Sequence, residues 1–536
     1  QQLKLTPLTA IYYLNESQDG MIFRSGNNEV TLLLFFIALL IIIVAAINFT
    51  NFSTALTPLR IKSINTQKVL GSSDRLLRNA LLAEAAIVSL IAWSISLVLV
   101  WMLGRATALP FVEADLSILK NLPIILITGG VALLTGVVAG LYPSWYVTSF
   151  PPALVLKGSF GLSPSGRKLR TILVSVQFIV SILLIIGASF VQLQNDYMRS
   201  FSLGFDKDQI AIVELSGELY NKHHETYVNR LKEFPDIEDV AFAMEKVASK
   251  DGYSTNGAVL KQKEFQFFMI MTSSNFLRVM GIPVEEGRDF SLSDELSEEP
   301  VYIFNEAAKL AVNMEQGDIL QSWVPGRIIG FTGNVKFTSL RNGENNIAFV
   351  VSKMPYPMSV SYIRLKAGSD VHAAVNHIRK TLADIDPAYP FDVQFYDTIF
   401  NHLYHKEENL RSLITVFSIL AIIISLVGVF GLVVFDTQYR RKEIGVRKVH
   451  GATNSEILKM LNRSYIYIVL VCFALAAPVG YYGIKKWLES FAYKTPMYWW
   501  VYLAALTIVL VITIGTVTFQ SWRAANANPV DSLKAQ

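Results

Sequence analysis

Seven apolar runs of about 18–24 residues punctuate the chain, at residues 31–51, 80–103, 123–142, 171–192, 412–435, 464–484 and 499–520. As a helix rising about 1.5 Å per residue, each is long enough to cross a hydrocarbon core of about 30 Å. Lysine and arginine gather in the segments 52–79, 143–170 and 436–463, whereas 104–122 and 485–498 are short and near charge balance. Basic loops stay on the cytoplasmic side. The three basic loops and the tail 521–536 are therefore expected inside, with residues 1–30 and 195–408 outside. Trp499 and Trp500 would mark an outer interface, and Trp145 and Trp522 inner ones.

Between the fourth and fifth runs the period changes. Residues 209–215 alternate as a strand, 219–234 repeat Tyr220, His224, Tyr227, Leu231 and Phe234 at helical spacing, and 238–243 form a second strand. The same order returns at 360–366, 369–384 and 391–396. Two βαβ units about 115 residues apart predict a split βαβ, porter-like sandwich with an inserted subdomain. Strands at 265–271, 301–304, 327–331 and 347–351, with helices at 275–280 and 305–312, are expected in the insert. Helical stalks are expected to continue past Gln192 and over 398–411. The fold class is an α-helical integral membrane protein with a large extracytoplasmic α+β domain.

Two basic stretches are copies of one another. Residues 57–73 (TPLRIKSINTQKVLGSS) and 437–453 (TQYRRKEIGVRKVHGAT) align without a gap. Thr57, Arg60, Lys62, Ile64, Lys68, Val69 and Gly71 stand opposite Thr437, Arg440, Lys442, Ile444, Lys448, Val449 and Gly451. Each copy follows one apolar run and precedes two more, and each block ends alike, with Pro152, Leu156 and Lys157 matching Pro529, Leu533 and Lys534. This is an internal duplication. At 100° per residue, Arg440, Arg441, Arg447 and Lys448 share a face with Ile444, while Tyr439, Val446 and Val449 lie opposite. A membrane-surface helix turns its apolar side inward. Ile444 among the basic residues is then expected to be the outward anchor for a protein partner. Gly451 supplies the helix stop, and Thr453 with Glu456 has capping-box spacing for the next helix. The first copy has Ser63 for Glu443 and Thr66 for Val446 and is expected to make the weaker contact.

Composition agrees with a membrane protein carrying a folded domain: 52% hydrophobic, 17% charged, mean hydropathy +0.38. The net charge of +4 hides an excess of about ten acidic residues in 195–408, so the membrane part is basic. Its basic residues flank apolar spans, which argues against nucleic acid as a partner. Cys472 is the only cysteine and lies in a span, so neither a disulfide within the chain nor a cysteine-based metal site is available. The spans hold almost no charge apart from Glu84, near a helix end, which weighs against an ion-coupled carrier. Gly136 and Gly140 suit close helix packing. GLSPSGRK at 161–168 approaches a phosphate loop, but has Arg167 where Lys is needed, Lys168 where Ser or Thr is needed, and no preceding strand. His402 with His405, and His223 with His224, lack further ligands at metal spacing. No catalytic constellation emerges. The chain itself is expected to be neither an enzyme nor a cofactor or metal binder.

The stretch RRKEIGVRKVHGAT resembles the signature of FtsX/MacB-type permeases of ABC transporters, the mechanotransmission group. Ala46–Ser53 (AINFTNFS), Gly281-Ile282, Gly287-Arg288-Asp289-Phe290, Asn305-Glu306-Ala307-Ala308, Asn528-Pro529 and Leu533-Lys534 add to the likeness. It resembles the eight-span, duplicated form. Against that form, the first helix and most of a first outer domain are expected to be missing before residue 31, with residues 1–30 the end of that domain. The resemblance implies a first membrane unit at 31–192, the last of whose spans opens the second unit, and the rest of that second unit at 412–520. It implies a bacterial inner-membrane location and a separate cytoplasmic ATPase that binds the ATP. That ATPase would dock on Arg440, Arg441, Glu443, Ile444, Arg447, Lys448 and Gly451, and more weakly on Arg60, Lys62, Ile64, Lys68 and Gly71. It also implies a dimeric or pseudo-dimeric assembly in membrane lipid, with an adaptor or substrate protein outside. The alternative is a scaffold that activates an outer partner without moving a substrate.

Overall fold

The structure, a computed structural model, describes residues 28–105, 112, 115–118, 120–151, 164–247, 255–338, 340, 343–353, 358–439 and 441–525. In chain order its elements begin with five helices, α1 (Asn28–Ala55), α2 (Thr57–Val69), α3 (Asp74–Arg105), α4 (Leu122–Thr148) and α5 (Pro164–Ser200). There follow β1 (Ile210–Glu214), α6 (Gly217–Lys232), β2 (Ile237–Ala243), β3 (Thr255–Leu260) and β4 (Lys263–Met271). Next come α7 (Phe276–Val279), β5 (Val284–Gly287), α8 (Leu292–Glu295), β6 (Val301–Asn305), α9 (Glu306–Val312), β7 (Ile319–Ser322), β8 (Gly326–Thr332) and β9 (Ile347–Val351). The rest are β10 (Val360–Leu365), α10 (Val371–Ile385), β11 (Val393–Phe395), α11 (Tyr396–Tyr439), α12 (Arg441–Val449), α13 (Asn454–Leu488) and α14 (Trp499–Ala525). The expected end of a first outer domain, the phosphate-loop lookalike's first residues, and the Pro-Leu-Lys block ends lie outside the described residues.

The chain divides into a membrane unit (27–195, 408–488 and 495–536) and an α/β unit (196–407 with 489–494). Seven helices of the membrane unit are long and apolar enough to span, and each coincides with one of the expected runs. Leucine, isoleucine and valine dominate them, and many face outward, as the side facing lipid requires. Two apolar interiors hold the helices. One joins Val174, Phe178 and Ile182 of α5 to Val469 and Cys472 of α13 and to Val501, Ala505 and Val509 of α14. The other joins Ile37 and Val44 of α1 to Val180 and Leu184 of α5 and to Ile414 and Ala421 of α11. Gly136 and Gly140 let α4 approach α3: a Cβ at Gly140 would meet Ala85 at 2.8 Å, and one at Gly136 would meet Ser89 at 2.6 Å. The pair is a seam within the chain.

In the α/β unit, β11, β1, β10 and β2 form an antiparallel sheet in that order, covered by α6 and α10. This is the split βαβ arrangement. Buried Leu219, Tyr227, Leu231, Ile378 and Leu382 supply the helix stripes that cover it. The insert is a seven-stranded sheet whose β7 pairs with both β3 and β8, so six of its strands close on themselves around Phe265, Phe267, Tyr302, Phe304 and Ile328. The Gly-Arg-Asp-Phe motif opens its rim. Arg288 grips Asp294 through two bonds of 2.7 and 2.8 Å, and the Ser291 amide adds a third. These donors hold the Asp294 carboxyl down at about 2. Residues 489–494, between α13 and α14, complete this unit. Phe491 is buried there, and the Tyr493 amide donates to the Leu340 carbonyl at 3.3 Å. The Tyr493 ring packs edge-on against Phe201 at 4.8 Å and under the Lys336 ammonium, also at 4.8 Å, while its hydroxyl bonds Glu344.

Candidate functional site

The two basic copies fold as equivalent tips, each a short helix, a glycine turn and the start of a long helix. In the first, the Leu70, Gly71 and Ser72 amides donate to the carbonyls of Thr66, Lys68 and Gln67 at 3.1, 3.0 and 3.0 Å. In the second, His450, Gly451 and Ala452 repeat this to Val446, Lys448 and Arg447 at 3.1, 3.0 and 3.0 Å. Gly71 (φ 100°) and Gly451 (φ 90°) occupy the left-handed conformation that ends each helix and that side chains resist. Ser73 and Thr453 cap the following helices from equivalent positions. Only the second has the full capping box, because Glu456 returns the bond to the Thr453 amide where the first copy has Leu76.

Burial follows the same pattern in both tips. Ile64 (7% exposed) and Ile444 (3%) face inward. Ile64 packs with Leu77 and Val147, and Ile444 joins Ile457 and Leu461 in the main membrane core. Asn65 and Gly445 are buried beside them, and Lys68 and Lys448 are half-buried. Val69 (61% exposed) and Val449 (64%) face outward, with Leu70, Thr66, Val446 and His450. This corrects the expected orientation. Ile444 is not an outward anchor but a core residue, and Val446 and Val449 do not face the membrane side. The helical wheel rightly sets Ile444 with Lys448 but also sets Arg447 there, which is exposed, and polarity does not mark the inward stripe: its Lys68 is satisfied internally, by Asp74 at 2.8 Å and by the Thr148 carbonyl.

The charged residues divide between the tips. Arg60 is held by Glu84 in a two-pronged pair at 2.7 and 3.0 Å, and Arg78 bonds Thr148 at 2.8 Å. Glu84 therefore pairs with the tip. Lys62 is exposed. In the second tip Arg447 pairs with Glu443 one turn back at 2.9 Å, both exposed. Arg440 lies outside the described residues, as do the side chains of Arg441 and Lys442. The first tip thus presents an apolar end, Val69, Leu70 and Leu76, while the second mixes Val446 and Val449 with Arg447 and His450.

A family model of the FtsX-like permease C-terminal region matches residues 35–152 and 415–529, two stretches whose starts are separated by the same offset as the tips. Both stretches resemble an FtsX-like permease. The chain is 23% identical over 282 residues to a macrolide export ATP-binding/permease protein of Chromobacterium violaceum, covering 49% of this chain and 43% of that one. It is 22% identical over 287 residues to a probable export ATP-binding/permease protein of Pseudomonas fluorescens, covering 49% and 42%. The matched stretch is less than half the length of these relatives. Among solved structures, the periplasmic region of MacB from Actinobacillus actinomycetemcomitans aligns with 37% of the chain and 94% of its own, at 15% identity and a TM-score of 0.29.

Proposed function

We propose that this chain is the permease subunit of an ABC transporter complex in a bacterial inner membrane. A separate cytoplasmic ATPase docks on both tips and binds the nucleotide. Its closing and opening is carried through the helices to the α/β domain, which acts outside the membrane on an exported or extracted substrate. The observation that carries this reading is the matched pair of tips. Each turns an isoleucine into the membrane core and offers a solvent-facing valine beside the glycine turn, Val69 and Val449. Interface energy concentrates in a few apolar anchors. These valines supply the anchors, with Lys62 and Arg447 at the rim. The names of the relatives, which join ATP binding to a permease, support a nucleotide-driven partner.

Two measurements test it. In a Cys472→Ala background, cysteines at Lys261 and Asn342 are expected to react with an impermeant thiol reagent applied to sealed right-side-out cells, and those at Lys62 and Lys442 not to. Labelling at Lys442 would overturn the orientation. Co-purification from native membranes is expected to recover a Walker-motif ATPase. Val449→Asp is expected to release it at unchanged yield of folded permease; full retention by Val69→Asp and Val449→Asp together would end the docking assignment.

A further inference from the structure

The offset that superposes the tips extends up the helices before them. It pairs Val44, Asn48 and Asn51 of α1 with Ile424, Gly428 and Gly431 of α11. In the structure Asn48 meets Ile424 and its own equivalent, Gly428. The buried Asn48 amide donates through Nδ2 to the Ile424 carbonyl, and its Oδ1 accepts from Gln177 Nε2 of α5. A Cβ on Gly428 would overlap Asn48 Oδ1 and lie 2.8 Å from Gln177, while one on Gly431 would lie 2.8 Å from the Phe52 ring.

In a two-fold contact, residue i meets j and j meets i, and a residue meets its own equivalent only where the axis passes. We propose that the pseudo-two-fold axis relating the repeats passes between Asn48 and Gly428, and that Asn48 is a pin fixing the register of the two halves there. Its amide is worth burying because both ends are satisfied; unpaired in apolar surroundings it would be costly. Thr57 and Thr437 follow at equal spacing, so each tip hangs from the pin on a helical arm of about 13 Å. The arrangement requires a fused chain. Two identical subunits would place the same residue on both sides of the axis, and two asparagines would collide where one asparagine and one glycine fit.

The test uses the full-length chain in native membranes with Cys472→Ala, and needs no partner. Asn48→Cys with Gly428→Cys is expected to form an intrachain disulfide under mild oxidation, at least about tenfold faster than Asn48→Cys with Ile419→Cys, whose second cysteine lies on an exposed face. Equal or slower crosslinking of the first pair would overturn the proposal. A stability measurement covers the case of poor cysteine expression. Gly428→Asn alone is expected to lower the thermal midpoint, and the exchange Asn48→Gly with Gly428→Asn to recover part of the loss, because the side chain and the space it fills change places. An exchange no more stable than the sum of its single variants would count against the pin.

Discussion

The first tip and the second share a backbone, a burial pattern and a glycine turn, yet show different chemistry outward. In the first, Arg60, Lys68 and Arg78 are engaged by Glu84, Asp74 and Thr148, and the exposed Val69, Leu70 and Leu76 lie among exposed Lys62, Thr66 and Gln67. In the second, an exposed Arg447–Glu443 pair and His450 surround Val446 and Val449. Between the tips the inward isoleucine and lysine and the outward valine are kept, while Ser63 and Glu443, Thr66 and Val446, and Leu70 and His450 differ on the exposed side. The inward residues answer to packing, which tolerates little change. The outward ones answer to whatever they touch, so two different outward faces imply that the tips meet non-identical surroundings or share the docking energy unequally.

The largest expected effects strike what the tips share. Ile444→Asp would bury a carboxylate in the main core, at about 3–5 kcal/mol, and is expected to abolish monodisperse protein on size-exclusion chromatography. Ile64→Asp, in a smaller cluster, is expected to lower the yield less; an unchanged yield for both would contradict the common burial. Effects on the outward faces come next. Val449→Asp and Val69→Asp are expected to keep the fold and to weaken ATPase pull-down about tenfold each. A larger loss from Val69→Asp would make the apolar first tip the principal anchor. The smallest concerns the ion pairs. Glu84→Ala frees Arg60 and is expected to change stability by no more than about 1 kcal/mol, while making ATPase binding more salt-sensitive. An unaltered salt response would show that Arg60 stays clear of the partner even when released.

Much of this fold is legible from period alone. The seven spans and the two βαβ halves rest on long, regular patterns, and all appear with ends shifted by a few residues. The helical stalks at 192–200 and 398–411 also appear, within α5 and α11. Strands β5 and β7 have only four residues each, and in β5 the sequence Val-Glu-Glu-Gly has no buried residue to betray it. Closure of the insert through β7 and β8 depends on pairing between strands, which no local pattern encodes. At the tips, the repeat revealed which residues correspond, but not which way they face. Direction is decided by Ile457, Leu461 and Leu77 on neighbouring helices, and by Asp74 and Thr148, which let a lysine lie on the inward side.

The six residues 489–494 that finish the α/β unit carry a consequence for biogenesis. Leu340, Glu344 and Lys336 emerge from the ribosome about 150 residues before Tyr493, which at roughly 5–20 residues per second is many seconds of synthesis. For that interval the surface that will receive Tyr493 stays uncovered. Its last piece is made only after α13, a helix long and apolar enough to span, has been synthesised. Completion of the domain is thereby tied to synthesis of the penultimate helix, so a chain that stalls there leaves an unfinished domain for proteases to recognise.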